Sequence, residues 1–339
     1  VQPIQDNDGL APEEWTLAEA LREAGYRTGL IGKWHLGSSA ARHPLRQGFD
    51  EFTGCLSGMI DHTSHADKMG ETDWWQGEER LMEPGYVTHL IERHAVDFLD
   101  RQKEQPFFLY LAFTTPHSPW SVPPEDWNRF KDKPITQTAT NAQAEKLDET
   151  RCALAMVENQ DRNVGRILAK LKELNLENDT IVVYFSDNGP NGHRWTGGMK
   201  GTKATTDEGG VRSPLFIRWP GKIAAGSQVK PIAGAIDLSP TLHGLAGVKR
   251  LGDKPLDGRD LAGLLRTGND ADWAPRYIFN SWANNVSVRT QTHRLDNGGN
   301  LFDMIADPGQ TTPIQAKQPE LAKELTTAVA AWRKEVGIA

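Results

Sequence analysis

The 339-residue sequence predicts an α/β protein with a mostly parallel, doubly wound sheet flanked by helices, followed by a smaller C-terminal antiparallel sheet with one helix. Two observations carry that expectation. A helix signature leads into a short apolar strand, and the strand into a polar or glycine-rich loop, three times before Pro190. Beyond about residue 270 this order gives way to short strand-like pieces and one last amphipathic helix. A larger α/β domain over residues 1–270 and a small α+β subdomain over 271–339 are therefore expected.

The first helix is expected over 12–24. Pro12 stands near its start, Glu13 and Glu14 in the first turn, and Leu17, Ala20, Leu21 and Ala24 follow at i, i+3, i+4 and i+7. Gly25 ends it, and Tyr26 to Ile31 reads as the strand that feeds the loop of Lys33 and His35. A second helix, Val87 to Gln102, leads into the apolar run Phe107 to Phe113, expected as a strand buried on both faces, and then into Thr114 to Pro119. A third, about Ala153 to Leu174, places Leu154, Val157, Val164, Ile167, Leu168, Leu171 and Leu174 on one face. It precedes the strand Thr180 to Phe185 and the loop Ser186 to Pro190. All three loops lie at carboxyl ends of strands, where open α/β sheets bind ligands. Pro214 to Trp219 reads as a further strand and Ile236 to Leu245 as a helix. The last region reads as strands at 277–280, 286–290, 293–295 and 301–304, with a helix over 319–336 that aligns Leu321, Leu325, Val329 and Trp332.

Hydrophobic residues at 38% and charged residues at 24% fit a globular chain with a sizeable core, and no low-complexity run suggests disorder. A net charge of −7 without any basic block gives no footprint for nucleic acid or an anionic membrane. No apolar stretch approaches the roughly 18 residues of a membrane span, and VQPIQDNDGL is no signal peptide. Cys55 and Cys152 are too few for a disulfide framework or a thiolate metal site.

The loops carry the chemistry. Lys33 and His35 would project the same way from extended backbone, with Gly32 and Gly37 allowing a sharp turn and close approach to an anion. A solvated lysine beside a structural histidine is the plainer alternative. Asp187 and Asn188 offer one carboxylate and one amide oxygen, which suits a hard cation, although Asp-Asn-Gly is also a common turn. His117, between Pro116 and Pro119, is either a titrating imidazole near neutral pH or a packed neutral ring. Glu208 to Arg212 reads as structural, with two glycines bringing backbones together and Arg212 pairing a carboxylate. Asp61, His62, His65, Trp74 and Trp75 fall in an insertion whose aromatic and polar groups would suit a sugar subsite. Surface loops of that composition also occur without ligands.

Six segments together resemble the sulfatase family, the formylglycine-dependent, arylsulfatase-like branch of the alkaline phosphatase superfamily. They are GYRTGLIGKWHLG at 25–37, TPHSP at 115–119, AMVENQDRNVG at 155–165, FSDNGP at 185–190, GMKGTKATTDEGGVRSPLFIRWPG at 198–221 and LFDMIADP at 301–308. The resemblance implies hydrolysis of aryl or carbohydrate sulfate esters, with a sulfated small molecule or glycan as substrate. It implies that Lys33 contacts nucleophile and sulfate, and that His35 bonds the nucleophile and helps break down the sulfated intermediate. His117 then contacts the sulfate as candidate proton donor, and Lys200 contacts the ester and shares the acid role. KG at Lys200 fits the motif better than Lys203. Asp187 and Asn188 would ligate calcium, the family's usual metal. Export to the periplasm or outside the cell is the family's tendency, but this sequence leaves the compartment open.

The family's opening strand with its Asp-Asp pair and its CxPxR nucleophile motif do not occur in these residues. Cys55 opens CLSGM, Cys152 opens CALAM, and Ser121 opens SVPPE without the arginine. Formylglycine is therefore expected on a segment not in this chain, in a longer precursor or on a companion polypeptide. That strand lies centrally in such sheets, so its neighbours here would lack a partner. Two alternatives stay open: a non-catalytic sulfatase-like protein that binds sulfated glycans, and a phosphonate or phosphate monoester hydrolase of the same superfamily.

Overall fold

A computed structural model describes residues 9–338. The first eight residues, most of the opening stretch read above as no signal peptide, lie outside the described residues. In chain order the elements begin with α1 (Leu17–Glu23), β1 (Arg27–Lys33), β2 (Glu51–Cys55), β3 (Trp75–Gln76), β4 (Glu79–Arg80), α2 (Val87–Gln102) and β5 (Phe107–Ala112). They continue with α3 (Pro124–Phe130), α4 (Leu147–Glu173), β6 (Val182–Phe185), α5 (Glu208–Val211), β7 (Leu215–Arg218), α6 (Leu238–Ala246) and α7 (Ala262–Thr267). The chain ends with β8 (Ile278–Trp282), β9 (Asn285–Arg289), β10 (His293–Leu295), β11 (Leu301–Asp303) and α8 (Pro319–Glu335). No described helix is long and apolar enough to cross a membrane.

The first of two compact units comprises the residues up to Pro134 with Leu147–Thr180 and Leu238–Ala262. Its sheet runs β4-β3-β2-β1-β5. The three main strands are parallel, with Gly32 of β1 opposite Gly54 of β2 and Ala112 of β5, and the short β3 and β4 add antiparallel. Helix α1 starts at Thr16 rather than Pro12, because Thr16 and Glu19 form a reciprocal capping box: Thr16 Oγ1 accepts from Glu19 N at 3.0 Å and Glu19 Oε2 from Thr16 N at 2.7 Å. Leu30, Trp34, Phe49, Phe52 and Leu56 form a core cluster against Ala18 of α1.

Two expectations fail here for physical reasons. Strand β5 is an edge of its sheet, with Tyr110 exposed, rather than a strand buried on both faces. Helix α4 buries Ile167 and Leu171 of the expected face but exposes Leu154 and Val157 and buries Met156, Asn159 and Asn163 in addition. The polar residues tolerate burial because they are bonded. Asn159 Nδ2 donates to Asp126 Oδ2 at 2.7 Å, and Asn163 Nδ2 donates to Asn159 O at 2.7 Å.

The second unit comprises Ile135–Lys146, Ile181–Asp237 and the residues from Gly263 onward, so the boundary expected near residue 270 falls inside its last segment. Strands β6 and β7 form an antiparallel pair of their own. Strands β8 to β11 form the expected antiparallel sheet, in the order β11-β10-β9-β8. Helix α8 covers it as its apolar spacing requires, with Leu325 buried against Val288, Leu295 and Leu301, and Trp332 stacked on Phe279 at 5.1 Å. A buried ion cluster ties α5 to this sheet: Arg294 Nη2 lies 2.8 Å and Arg289 Nε 3.3 Å from Glu208 Oε2.

Candidate functional site

Strands β1 and β5 are parallel neighbours, so the loops that follow them leave the same edge of the first unit's sheet. Gly32, at φ 114°, is required where β1 meets β5, since a Cβ there would lie 2.1 Å from Ala112 O. Pairing with β2 continues past Lys33: Trp34 N donates to Cys55 O at 2.8 Å and His35 N to Leu56 O at 3.1 Å. Trp34 turns into the core and donates its indole N–H to Arg42 O at 2.9 Å. His35 differs from the extended geometry expected. Its φ of 56° is left-handed, a conformation that costs on the order of 1–3 kcal/mol in a non-glycine residue. Its ring lies against Gly58, where a Cβ would come within 2.4 Å of Nε2. The absence of a side chain at 58 makes the seat for that imidazole.

After β5, His117 N donates to Thr114 O at 2.8 Å, and both proline bonds beside it, Thr115–Pro116 and Ser118–Pro119, are cis. The ring Nδ1 of His117 donates to Ser118 O at 2.7 Å. With the proton on Nδ1, the neutral ring carries its lone pair on Nε2, the nitrogen that takes up or delivers a proton. Lys33 at the end of β1, His35 just past it and His117 after β5 thus stand at the carboxyl ends of two adjacent parallel strands.

The residues read as a sugar subsite serve packing. Trp74 is completely buried and donates Nε1–H to Glu83 Oε2 at 2.8 Å. His65 is buried beside it, ring centroids 5.3 Å apart, with Nε2–H donated to Gly85 O at 2.9 Å. Trp75 is half-buried; its Nε1–H goes to Asp73 Oδ1 at 2.7 Å and the Arg80 guanidinium stands 5.4 Å over its ring. The insertion folds on itself through β3 and β4, with Trp74 and His65 buried and Trp75 half-buried. Cys55 is buried too, and burial together with Asp73 raises its thiol pKa far above the ordinary value. It is no nucleophile in this state.

In the second unit a glycine pair organises two loops. Gly189 N donates to Gly210 O at 2.9 Å, and Gly209 N donates to Lys200 O at 2.7 Å, so the Asp187–Asn188 turn and the Lys200 segment pack on the same two residues of α5. Arg212 pairs with Glu208 at 3.4 Å, as expected. Lys200 Nζ lies 3.4 Å from Asp207 and 3.8 Å from Asp296, two carboxylates that the sequence did not link to it. Asp187 Oδ1 accepts from Asn188 N at 2.8 Å, and Asn188 Nδ2 donates to Gly189 O at 2.8 Å. The pair offers the oxygen donors of a hard cation, but calcium takes 6–8 oxygens. No group of three or more His, Cys, Asp or Glu side chains suited to a metal occurs among the described residues. The donors fit calcium in kind and not in number.

A family model described as Sulfatase matches residues 1–248. The chain is 32% identical over 289 residues to N-acetylgalactosamine-6-sulfatase of Mus musculus, covering 80% of this chain and 52% of that protein. It is 30% identical over 361 residues to arylsulfatase A of Homo sapiens, covering 94% of this chain and 66% of that protein. The crystal structure of Ps i-CgsB superposes with a TM-score of 0.85 at 26% identity, covering 97% of this chain and 76% of that one, and has also been solved in complex with k-i-k-neocarrahexaose. The chain spans about half the length of the N-acetylgalactosamine-6-sulfatases it matches.

Proposed function

The chain belongs to the sulfatase family, and on that premise we propose that it serves the hydrolysis of carbohydrate sulfate esters. The observation that carries the reading is the placement of Lys33 at the end of β1, His35 just past it and His117 after β5, at the carboxyl ends of two adjacent parallel strands. A sulfate ester presents three equivalent oxygens that need positive charge, and its departing oxygen needs a proton. Lys33 supplies charge to the sulfuryl oxygens. In this reading His35, seated against Gly58, bonds the nucleophile, and His117, protonated on both ring nitrogens, delivers the Nε2 proton to the departing oxygen while Nδ1–H stays on Ser118 O. Sugar alcohols leave poorly without that proton, so the acid role weighs most for a carbohydrate ester. The carbohydrate class is supported by the relatives' names, N-acetylgalactosamine 6-sulfate hydrolysis in one and an oligosaccharide complex in another.

We propose for Lys200, which lies beside Asp207 and Asp296, the contact with the ester that its motif implies. Asp187 and Asn188 are proposed to offer two oxygens to a divalent ion, calcium by the family resemblance. The nucleophile is proposed to be a formylglycine, as the family resemblance implies, on a segment that these residues do not include.

The test, made on this chain together with the segment that carries the nucleophile, compares turnover of N-acetylgalactosamine 6-sulfate and 4-nitrophenyl sulfate with that of 4-nitrophenyl phosphate. Sulfate esters are expected to be preferred, and Lys33→Ala or His117→Ala to lower kcat/KM by about 10²–10⁴. Faster turnover of the phosphate ester overturns the reading in favour of a phosphomonoesterase. Binding of the sulfated sugar without turnover, and with affinity lost in Lys33→Ala, overturns it in favour of a glycan-binding protein.

A further inference from the structure

We propose that His62 is a positioning residue for His117, holding the loop after β5 so that the His117 ring presents Nε2 to the ester. The proposal rests on the role given to His117 above. His62 is completely buried, 55 residues away in sequence, on a segment that joins the sheet edge to α2. Its Nε2 lies 2.9 Å from His117 O and its Nδ1 3.3 Å from Thr114 Oγ1. A carbonyl only accepts, so Nε2 carries the proton and Nδ1 accepts from the threonine hydroxyl. Both ring nitrogens therefore end on the same short loop, one of them on the backbone of His117 itself.

That pattern is more than packing requires. A phenylalanine would fill the space beside Tyr86, whose ring centroid is 5.9 Å away, and would not bond the loop. The bonding needs a neutral imidazole with one donor and one acceptor nitrogen. Burial favours that form, lowering the His62 pKa despite the opposing pull of the His117 carbonyl and of Asp61. Two further contacts from the same region hold the loop at other points: Thr88 Oγ1 lies 2.8 Å from Thr115 Oγ1, and Tyr86 Oη donates to Ser121 O at 3.1 Å. The His117 ring is then fixed by its bond to Ser118 O, which exists only while the backbone of 117–118 keeps its course. His62 stands one bond behind the acid and touches neither ester nor nucleophile.

The experiment compares His62→Phe, which keeps an aromatic ring and removes both bonds, with His62→Gln, whose amide N–H reaches toward the same carbonyl. His117→Ala serves as reference, and thermal unfolding of each variant is recorded. The expected result is a kcat on the sugar sulfate lowered about tenfold or more in His62→Phe, with KM changed less than about twofold. The loss on 4-nitrophenyl sulfate should be smaller, since its leaving group needs less help. Gln should recover most of the loss, and His62→Phe should add little to His117→Ala, as expected of residues acting through one another. Equal losses on both esters, no recovery with Gln, or full additivity overturns the proposal. If His62→Phe does not fold, Thr114→Val, which removes only the hydroxyl on Nδ1, is expected to show the same leaving-group dependence, and its absence counts against the proposal. The two readings separate by ¹⁵N spectra of the ring nitrogens. A His117 tautomer that becomes mixed in His62→Phe, together with a His117→Ala that turns over sugar sulfate normally, sinks the acid role and keeps the positioning; an unchanged tautomer sinks the positioning.

Discussion

The His117 loop and the Asp187–Asn188 turn both follow β-strands and both carry residues of the family motifs, yet they are held in different ways. The His117 loop is clamped from outside by His62, Thr88 and Tyr86, buried groups of a segment with no motif of its own. The Asp187–Asn188 turn is held by its own side chains and by a glycine-to-glycine contact within a few ångströms. A motif that carries its own supports is readable from sequence as a unit. A motif propped by remote side chains is readable only in its tip.

The largest effect that would test this contrast is expected at the buried ion cluster under α5, which anchors the glycine pair. Arg294→Met leaves Glu208 buried with Arg289 as its remaining close partner in the sheet, and removing one member of a buried pair costs about 3–5 kcal/mol. Chemical denaturation is expected to report that loss. The pH dependence sharpens it. Burial alone would raise the Glu208 pKa, but the charges of Arg294 and Arg289 outweigh it and hold the group below the ordinary 4.5. A carboxyl with a depressed folded pKa adds stability that is present above the unfolded value and disappears as pH falls through the folded one. Acid destabilisation of the wild type below about pH 4.5 is therefore expected to be steeper than that of Arg294→Met. Parallel acid limbs in the two proteins would remove Glu208 from the account.

A direct comparison of the two regions comes from alanine at their glycines. At Gly189 the added Cβ would sit 1.8 Å from Gly209 O, and neither backbone can yield without moving the Asn188 turn. At Gly58 it would meet the His35 ring at 2.4 Å, and a ring can swing aside. Overpacking of this kind costs about 1–3 kcal/mol. Gly189→Ala is expected at the upper end of that range in stability. Gly58→Ala is expected at the lower end, with kcat falling more than the melting temperature would suggest, because His35 leaves its seat. Equal stability losses with activity intact in Gly58→Ala would show that the ring position is unimportant.

How much of this was legible follows the same line. Helix α2 and strand β10 match their expected bounds, since each depends on a local apolar spacing. Strand β2 was missed: Glu51–Cys55 is short and holds a glycine, and only its pairing with β1 makes it a strand. The face of α4 was misjudged because Asn159 and Asn163 point inward, and periodicity weighs polar residues as solvent-facing unless their partners are known. Lys33, His35, His117, Asp187, Asn188 and Lys200 are proposed from their motifs alone. His62 was seen only as part of a sugar-like insertion, because a bond across 55 residues leaves no mark in the sequence. Trp74 and His65 show the opposite: aromatic composition suggests a sugar platform, and only the structure shows these two rings buried beside each other.

The smallest effect is expected at Thr16, and it asks whether the first unit's loops are insulated from the helix that precedes them. Thr16 caps α1 and also donates its hydroxyl to Gln47 O at 3.0 Å, tying the helix start to the turn before β2. Loss of such a cap costs about 1 kcal/mol. Thr16→Ala is expected to lower stability by about that amount and Thr16→Ser to restore it, since serine keeps both hydroxyl bonds. Lys33 and His35 are held through the pairing of Trp34 and His35 with Cys55 and Leu56, downstream of the contact that Thr16 makes. The activity of Thr16→Ala at temperatures well below unfolding should therefore equal that of the wild type. A fall in kcat that tracks the loss of the cap would mean that α1 helps to set the Lys33 loop, and that this loop, like the loop of His117, is propped from a distance.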